Sequence, residues 1–268
     1  MNDVIAIPAF QDNYIWLISA DNGSGANNSR PLTIVDPGDE RPVLDYLHMT
    51  HQTPGAILVT HQCHDHVDGV RAILAHHSIP VYGPATEMIP GMTHPVKQDD
   101  RITMSNELQF QVIDVPGHTA GHVAYYEAGS PGRLFCGDTL FAGGCGRLHT
   151  GLYDEMFLSL QKIAALPDDT LIYCAHEYTL ANLKFALHLD PDNIALQARM
   201  EQARKMRANG EITIPSPLIA EKNTNPFLRC HTPAIVKAAE QYASQTAQPQ
   251  PTSAAAVFRL IRHWKNNF

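Results

Sequence analysis

The stretch Ala56-Ile57-Leu58-Val59-Thr60-His61-Gln62-Cys63-His64-Asp65-His66 joins an apolar run to a dense group of potential metal ligands. Four consecutive apolar residues predict a buried β-strand. The imidazoles, the thiol and the carboxylate that follow can all bind a divalent metal such as zinc. Because α/β proteins place their chemistry where strands end at the carboxyl edge of a sheet, this stretch predicts a strand that leads into a metal site.

Three later segments also place a ligand residue where an apolar run ends. They are residues 114–122 with His118, residues 135–140 with Asp138, and residues 173–178 with His176. Taken singly, each of these is more often a turn residue or a packed core residue than a ligand. Loops at one edge of a sheet converge in space, so their joint occurrence with the 61–66 cluster favours a shared metal site.

Strand and helix patterns alternate over the first two thirds of the chain and give way to helices afterwards. The patterns predict strands at 3–8, 14–19, 32–35, 56–59, 79–82, 108–115, 122–127, 134–136 and 170–174, a turn at Asn22-Gly23, and helices at 41–51, 67–77, 153–166, 194–208, 233–244 and 253–267. No alternating strand is expected after residue 180. The sequence therefore predicts two sheets covered by helices in a domain of residues 1–174, followed by a mainly helical domain of residues 175–268.

Composition excludes several classes of function. The chain has 268 residues with 44% hydrophobic and 17% charged residues, which is typical of a globular protein, and a net charge of −8, which argues against general binding to nucleic acid or membranes. Its five widely spaced cysteines indicate no disulfide framework. We find no signal peptide and no apolar stretch near the roughly 20 residues of a membrane helix, so a cytoplasmic location is expected.

The order of these motifs resembles the metallo-β-lactamase superfamily, whose signature is His-x-His-x-Asp-His followed by a later His, Asp and His. Further stretches resemble the glyoxalase II family, the hydroxyacylglutathione hydrolases, over essentially the whole chain. They are residues 8–14, 35–38, 137–141, 144–147, 176–179, 225–227 and 262–265. The resemblance implies an α/β fold, the metallo-β-lactamase αββα sandwich, with a C-terminal helical domain that binds the glutathione part of the substrate. It also implies a monomer.

The resemblance further implies a site for two divalent metals, with zinc expected and iron or manganese as alternatives. One metal would be held by His61, Cys63, His118 and Asp138, and the other by Asp65, His66, His176 and the bridging Asp138. The positions that match the family's glutathione contacts are Arg147, Tyr178, Arg262 and Lys265.

The activity implied by the resemblance is hydrolysis of S-(2-hydroxyacyl)glutathione thioesters, such as S-D-lactoylglutathione, to glutathione and a 2-hydroxy acid such as D-lactate. This reaction is the second step of methylglyoxal detoxification. In the family a hydroxide that bridges the metals attacks the thioester, and Asp65 and Asp138 are the expected catalytic residues. Two alternatives are another hydrolase of the same superfamily and a non-catalytic zinc- or thiol-sensing protein.

Cys63 departs from the family pattern, which has a histidine at this position. Three interpretations remain open. Cys63 binds as a thiolate, which favours zinc over harder metals; or His64 takes its place through a local distortion; or the first metal site is weak or empty. Asp36 is a candidate support for one of the imidazoles, although a simple role in the Asp-Pro-Gly turn fits the sequence equally well.

Overall fold

The computed structural model describes residues 4–19, 31–149 and 151–268, and these residues form two compact units. The first unit comprises the described residues up to Asp114 together with Gly121–Gly137, and the second comprises Val115–Ala120 and Asp138–Phe268. The units are interleaved in the chain, so the predicted domain boundary at residue 174 remains a prediction. The turn predicted at Asn22-Gly23 lies outside the described residues.

The first unit contains a six-stranded sheet whose strands follow one another in chain order. They are β1 (Val4–Ala9), β2 (Asn13–Ile18), β3 (Leu32–Val35), β4 (Pro54–Leu58), β5 (Val81–Pro84) and β6 (His94–Val96). β1, β2 and β3 pair antiparallel, whereas β3, β4, β5 and β6 pair parallel. The parallel strands β3, β4 and β5 therefore all end at one edge of the sheet, and Asp36, His61 and Glu87 follow them there.

Helices α1 (Glu40–Thr50), α2 (His64–Val67) and α3 (Val70–His76) follow β3 and β4 in the chain. α1 and α3 bury Val43 and Ile73 in one apolar core with residues of the sheet. The helix predicted at 67–77 is present as α3, which begins only at Val70 because Asp68 and Gly69 separate it from α2. The backbone N–H of Gly69 donates to the carbonyl of Pro37 at 3.0 Å instead of continuing the helical ladder.

A second, antiparallel set of strands belongs to the first unit. It consists of β7 (Arg101–Thr103), β8 (Gln109–Asp114), β9 (Val123–Glu127) and β10 (Arg133–Gly137). Buried Phe110 packs edge-on against Tyr125 and Phe135, and the Tyr125 hydroxyl donates to the carbonyl of Val59 at 2.8 Å. This hydrogen bond ties β9 to the segment that leads from β4 into the ligand cluster.

The second unit is mainly helical. Its elements are β11 (Leu140–Phe141), β12 (Gly144–Cys145), α4 (Tyr153–Ala164), β13 (Leu171–Cys174), α5 (Thr179–Leu189), α6 (Ile194–Ala208), β14 (Ser216–Pro217), α7 (Leu218–Thr224), a 3₁₀ turn (Pro226–Leu228), α8 (Pro233–Gln245) and α9 (Ala254–Asn266). The buried rings of Phe227 and Phe258 form part of its core, and the half-buried ring of Phe157 packs against Phe258. Across the described parts of the chain, no helix combines the length and the apolar character needed to span a membrane.

Candidate metal centre

Four of the predicted ligands lie together in the first unit, where the chain leaves β4 and enters α2. His61 and His66 are buried, and their ring centroids are 4.0 Å apart. Cys63 is the residue before α2, and its sulfur lies within 4.8 Å of a ring nitrogen of His61. The carboxylate of Asp65 lies 3.5 Å from Nε2 of His66. The spacing of the 61–66 cluster therefore does gather nitrogen, sulfur and oxygen donors in one place.

Asp36 orients two of these imidazoles from the end of β3. Its buried carboxylate accepts hydrogen bonds from the backbone N–H and the hydroxyl of Thr60, both at 2.7 Å. The second oxygen also lies 3.0 Å from Nδ1 of His66, and the Thr60 hydroxyl lies 3.0 Å from Nδ1 of His61. Asp36 is therefore a supporting residue for the site and more than a turn residue.

The contact between Asp36 and His66 determines which nitrogen of the His66 ring can bind a metal. An ionised carboxylate only accepts hydrogen bonds, so Nδ1 of His66 carries the ring proton. Nε2 of the neutral ring then presents a lone pair towards an oxygen of Asp65. Two electron-pair donors that face each other at this distance are the arrangement that a bound cation stabilises, and the donors fit a borderline divalent metal.

Two residues outside the predicted ligand set fix Asp65. The side-chain amide of Asn13 donates to Oδ2 of Asp65 at 2.9 Å. Gly38 packs directly against the backbone of Asp65, because a Cβ at position 38 would be only 1.9 Å from the carbonyl oxygen of Asp65. The first residue of β2 and the loop after β3 thus determine where α2 carries this carboxylate.

His64 lies outside this group of donors. Its side chain is 93% exposed, and its Nδ1 lies 3.1 Å from the carboxylate of Asp68, one turn further along the chain. The interpretation in which His64 replaces the missing histidine ligand therefore has no support. Cys63, in contrast to His64, lies beside His61.

The three remaining predicted ligands lie together in the second unit. Buried Asp138 is placed between two buried imidazoles, with Oδ2 3.6 Å from Nε2 of His118 and Oδ1 3.3 Å from Nε2 of His176. Nδ1 of His118 lies 2.7 Å from the carbonyl oxygen of Arg147. Since a carbonyl only accepts, this nitrogen carries the proton, and the neutral ring directs its Nε2 lone pair at Asp138. Asp138 offers one oxygen to each side, as a bridging carboxylate would.

The hairpin of β11 and β12 connects Asp138 to Arg147, and the helices of the second unit hold it. The buried carboxylate of Glu221 in α7 accepts hydrogen bonds from the backbone N–H of Gly143 and the hydroxyl of Ser216, and it pairs with Arg199. Burial alone would raise the pKa of Glu221, but Arg199 and these hydrogen bonds hold it below its ordinary value. The side chain of Asn225 donates to the carbonyls at both ends of the turn, those of Phe141 and Gly144.

The predicted glutathione contacts also belong to the second unit. Tyr178 stacks on the ring of His176 with centroids 4.7 Å apart, and Arg147 is exposed. Arg262 is 5% exposed, and its Nη1 donates to the carbonyl of Cys145 at 2.8 Å. Lys265 donates to the carbonyl of Ala181 at 3.0 Å, and burial, reinforced by the neighbouring Arg262, lowers its pKa to about 8.

Other supporting residues were missed because they reach the ligands through space. His122 is buried and stacks on the ring of His61 with centroids 4.4 Å apart. Thr60 directly precedes the first ligand, His61, and this adjacency is the only local sequence signal for any of these supporting residues. Glu87 follows β5 in the same way as the ligand cluster follows β4, so the parallel order of the strands could have indicated it.

The comparisons with known proteins identify the fold. Residues 26–176 match the family model described as the metallo-beta-lactamase superfamily, and residues 177–268 match the model described as the hydroxyacylglutathione hydrolase C-terminus. Among solved structures, the B3 metallo-β-lactamase BLEG-1 covers 85% of this chain, and this chain covers 99% of it, with a TM-score of 0.60 and 23% identity. The chain thus has the metallo-β-lactamase fold, which confirms the predicted fold class.

Curated relatives match over their full length. A hydroxyacylglutathione hydrolase of Nitrosomonas eutropha is 49% identical over 272 residues and covers 100% of both chains. One of Alkalilimnicola ehrlichii is 48% identical and covers 99% of both chains. The chain belongs to the hydroxyacylglutathione hydrolase family, a family of metal-dependent hydrolases. The fold and the His, Asp and Cys donors indicate that it binds divalent metal.

Proposed function

We propose that this protein hydrolyses S-(2-hydroxyacyl)glutathione thioesters, such as S-D-lactoylglutathione, to glutathione and a 2-hydroxy acid. The observation that carries the proposal is the full-length match to relatives named hydroxyacylglutathione hydrolase. The side chains in both units support it, because they supply the donor atoms that metal-dependent hydrolysis requires. The two alternative functions considered from the sequence are not favoured by these relatives.

The ligand sets of the two units together hold two divalent metals in this proposal. His61, Cys63, His118 and Asp138 bind one, and Asp65, His66, His176 and Asp138 bind the other. A pair of bound metals would supply a water molecule with its pKa lowered to about 7 and would polarise the thioester carbonyl. The similar protein TTHA1623 was solved in a di-iron-bound form, at 27% identity and a TM-score of 0.51 over 65% of this chain.

Asp65 and Asp138 have different tasks in this mechanism. Asp138 is buried between His118 and His176 with one carboxylate oxygen near each Nε2, so it would bind metal through both oxygens. The Asp65 side chain is 40% exposed and is held by Asn13, so it can accept a hydrogen bond from an attacking water and orient it. The leaving group is a thiolate, which needs little help from a general acid.

Zinc is the metal we propose, because Cys63 replaces a histidine ligand. A thiolate is a soft ligand that zinc binds well and manganese binds poorly. The sulfur is attached directly to Cβ, so its position depends on the main chain at residue 63 and one side-chain torsion. The thiolate also adds negative charge to the site that contains His61. A metal bound there would therefore lower the pKa of its bound water less than it would with a third neutral imidazole.

Arg262 and Lys265 on α9 bind the carboxylates of glutathione in this proposal. Nε of Arg262 is buried and has no hydrogen-bond partner among the described residues, which leaves this guanidinium with unused donor capacity. Arg147 adds an exposed cation, and Tyr178 adds a hydroxyl beside His176. These cations concentrate positive charge in a chain whose net charge is −8.

The test is turnover by the purified protein after its metal has been removed and replaced with zinc. We expect release of glutathione thiol from S-D-lactoylglutathione, loss of this activity on chelation and its recovery with zinc. Arg262→Gln should raise KM at least tenfold, whereas Lys237→Gln, which removes an exposed charge on α8, should leave both KM and kcat unchanged. Absence of thioester hydrolysis by the zinc-loaded protein would contradict the proposal, and hydrolysis of a β-lactam or lactone instead would favour another activity of the superfamily.

A further inference from the structure

Glu87 is a buried acidic residue that contacts the ligand cluster without belonging to it. Its side chain is on the turn after β5, and the whole residue is 7% exposed. Oε2 accepts a hydrogen bond from the backbone N–H of Gln62 at 2.6 Å, and Oε1 accepts one from the backbone N–H of Gly121 at 2.9 Å. Gln62 stands between the proposed ligands His61 and Cys63, and Gly121 follows His118 by three residues in the sequence.

A second hydrogen bond runs in the opposite direction. The side-chain carbonyl of Gln62 accepts from the backbone N–H of Met88 at 3.2 Å, so residues 62 and 87–88 are joined at two points. Glu87 also packs tightly against Gly121, because a Cβ at position 121 would lie 2.6 Å from Cγ of Glu87. A side chain at position 121 would therefore displace the carboxylate.

The topology of the sheet explains why Glu87 reaches this position. β4 and β5 are adjacent parallel strands, with Ile57 paired to Val81 and Leu58 to Tyr82. Their carboxyl ends lie side by side, so the residues that follow β5 can contact those that follow β4. A carboxylate that bonds two backbone N–H groups restrains both main chains at once, since charge-assisted hydrogen bonds are stronger than neutral ones.

We propose that Glu87 is a positioning residue for the metal centre, which fixes the main chain between His61 and Cys63 through its hydrogen bond to Gln62. The inference rests on the proposed function, in which both flanking residues bind metal. It matters most for Cys63, because a sulfur two bonds from Cα follows any shift of the backbone directly. A histidine could compensate for such a shift by rotating about two side-chain torsions.

The test compares Glu87→Gln with Glu127→Gln, which removes the same charge from a partly buried glutamate paired with Arg133 in the same unit. Glutamine at 87 can accept one of the two backbone hydrogen bonds but not both. We expect Glu87→Gln to lower zinc affinity about 10–100-fold in a chelator competition, and to lower kcat while KM stays within twofold. The cobalt-substituted variant should also show a weaker thiolate-to-cobalt absorption band. Glu127→Gln should match the wild type in all three measurements.

Zinc affinity and a cobalt spectrum within error of the wild type for Glu87→Gln would overturn the inference. Amide exchange in the zinc-loaded wild-type protein gives a second measurement in case the variant does not fold. The N–H groups of Gln62 and Gly121 should be protected, and rapid exchange of either would contradict the proposed restraint. A wild-type protein that binds zinc but does not hydrolyse the thioester would contradict the proposed function alone, since the affinity comparison would still be valid.

Discussion

Hydrogen-bond acceptors next to the imidazoles determine the orientation of three proposed ligands. Nδ1 of His66 donates a hydrogen bond to the carboxylate of Asp36, Nδ1 of His61 donates one to the hydroxyl of Thr60, and Nδ1 of His118 donates one to the carbonyl of Arg147. In each neutral ring the opposite nitrogen keeps its lone pair, which is the nitrogen that would bind metal. The site is thus organised for cation binding by neighbours of the ligands as well as by the ligands.

Cys63 gives a prediction at this scale. Cys63→Ser should lower zinc affinity at least tenfold and abolish the thiolate-to-cobalt absorption of the cobalt-substituted protein, because serine is a poor ligand for these metals. Cys63→His should restore tight binding without restoring that absorption. Cys230→Ser is the control, since Cys230 is buried in the second unit and its thiol donates to backbone carbonyls. An unchanged cobalt spectrum in Cys63→Ser would show that the sulfur does not bind the metal.

Lys265 gives a prediction about pH. Its pKa is lowered to about 8, so the ammonium loses its charge as the pH rises through that value. Binding of an anionic substrate should weaken over the same range, and kcat/KM should fall above a pH of about 8 while kcat does not follow it. In Lys265→Arg the cation stays charged, so this fall should be absent after subtraction of spontaneous hydrolysis. The same descending limb in both proteins would rule out Lys265 as its source.

The sequence predicted the candidate ligands better than their supports. His61, Asp65 and His66 are recognisable because they are close together in the chain. Asn13 and Glu87 act across 52 and 25 positions respectively, and nothing in their local sequence distinguishes them from other polar residues. Such supports depend on which strands are neighbours, and the pattern of single elements does not contain that information.

At the scale of elements, the hairpin of β11 and β12 depends on α7 and α9. Glu221 and Asn225 hold its backbone from one helix and the turn that follows, and Arg262 holds the carbonyl of Cys145 from another. Asp138 precedes this hairpin directly in the chain, and Arg147 follows it. The helical region therefore supports a proposed metal ligand in addition to supplying the proposed substrate contacts.

Loss of the Glu221 carboxylate should destabilise the protein strongly. Glu221→Ala would leave Arg199 without its buried partner, and we expect the free energy of unfolding to fall by about 3–5 kcal/mol in urea titrations. The control is Glu201→Ala on α6, where the ion pair with Lys205 is exposed and should contribute no more than about 0.5 kcal/mol. Equal effects of the two substitutions would contradict the role of Glu221 in the hairpin.

The elements themselves were predictable where their periodicity is strong and local. β3 and α6 have the predicted bounds, 32–35 and 194–208. α5 was missed because it is apolar on most sides and lacks a clear amphipathic pattern. The short strand β14 pairs with β13 through two residues only, which is too few for any alternation to be visible. Thr232 directly precedes α8, and its hydroxyl donates to the carbonyl of Arg229 instead of capping the helix.

At the scale of the whole molecule, the ligand residues come from segments spread over more than a hundred positions, from His61 to His176. Metal binding should therefore stabilise the folded chain, because the unfolded chain cannot gather these residues. We expect chelation to lower the thermal midpoint and zinc, but not magnesium, to restore it. With free zinc at a thousand times its Kd, the stabilisation should reach about 4 kcal/mol. A midpoint that does not respond to zinc would contradict the proposed site.

The most direct test of the account is an anomalous-scattering map at the zinc edge from crystals of the zinc-loaded protein. We expect two peaks about 3.5–4 Å apart with the carboxylate of Asp138 between them, and the sulfur of Cys63 about 2.3 Å from one of them. A map in which the His61–His66 segment and the set of His118, Asp138 and His176 do not share the same pair of peaks would contradict it.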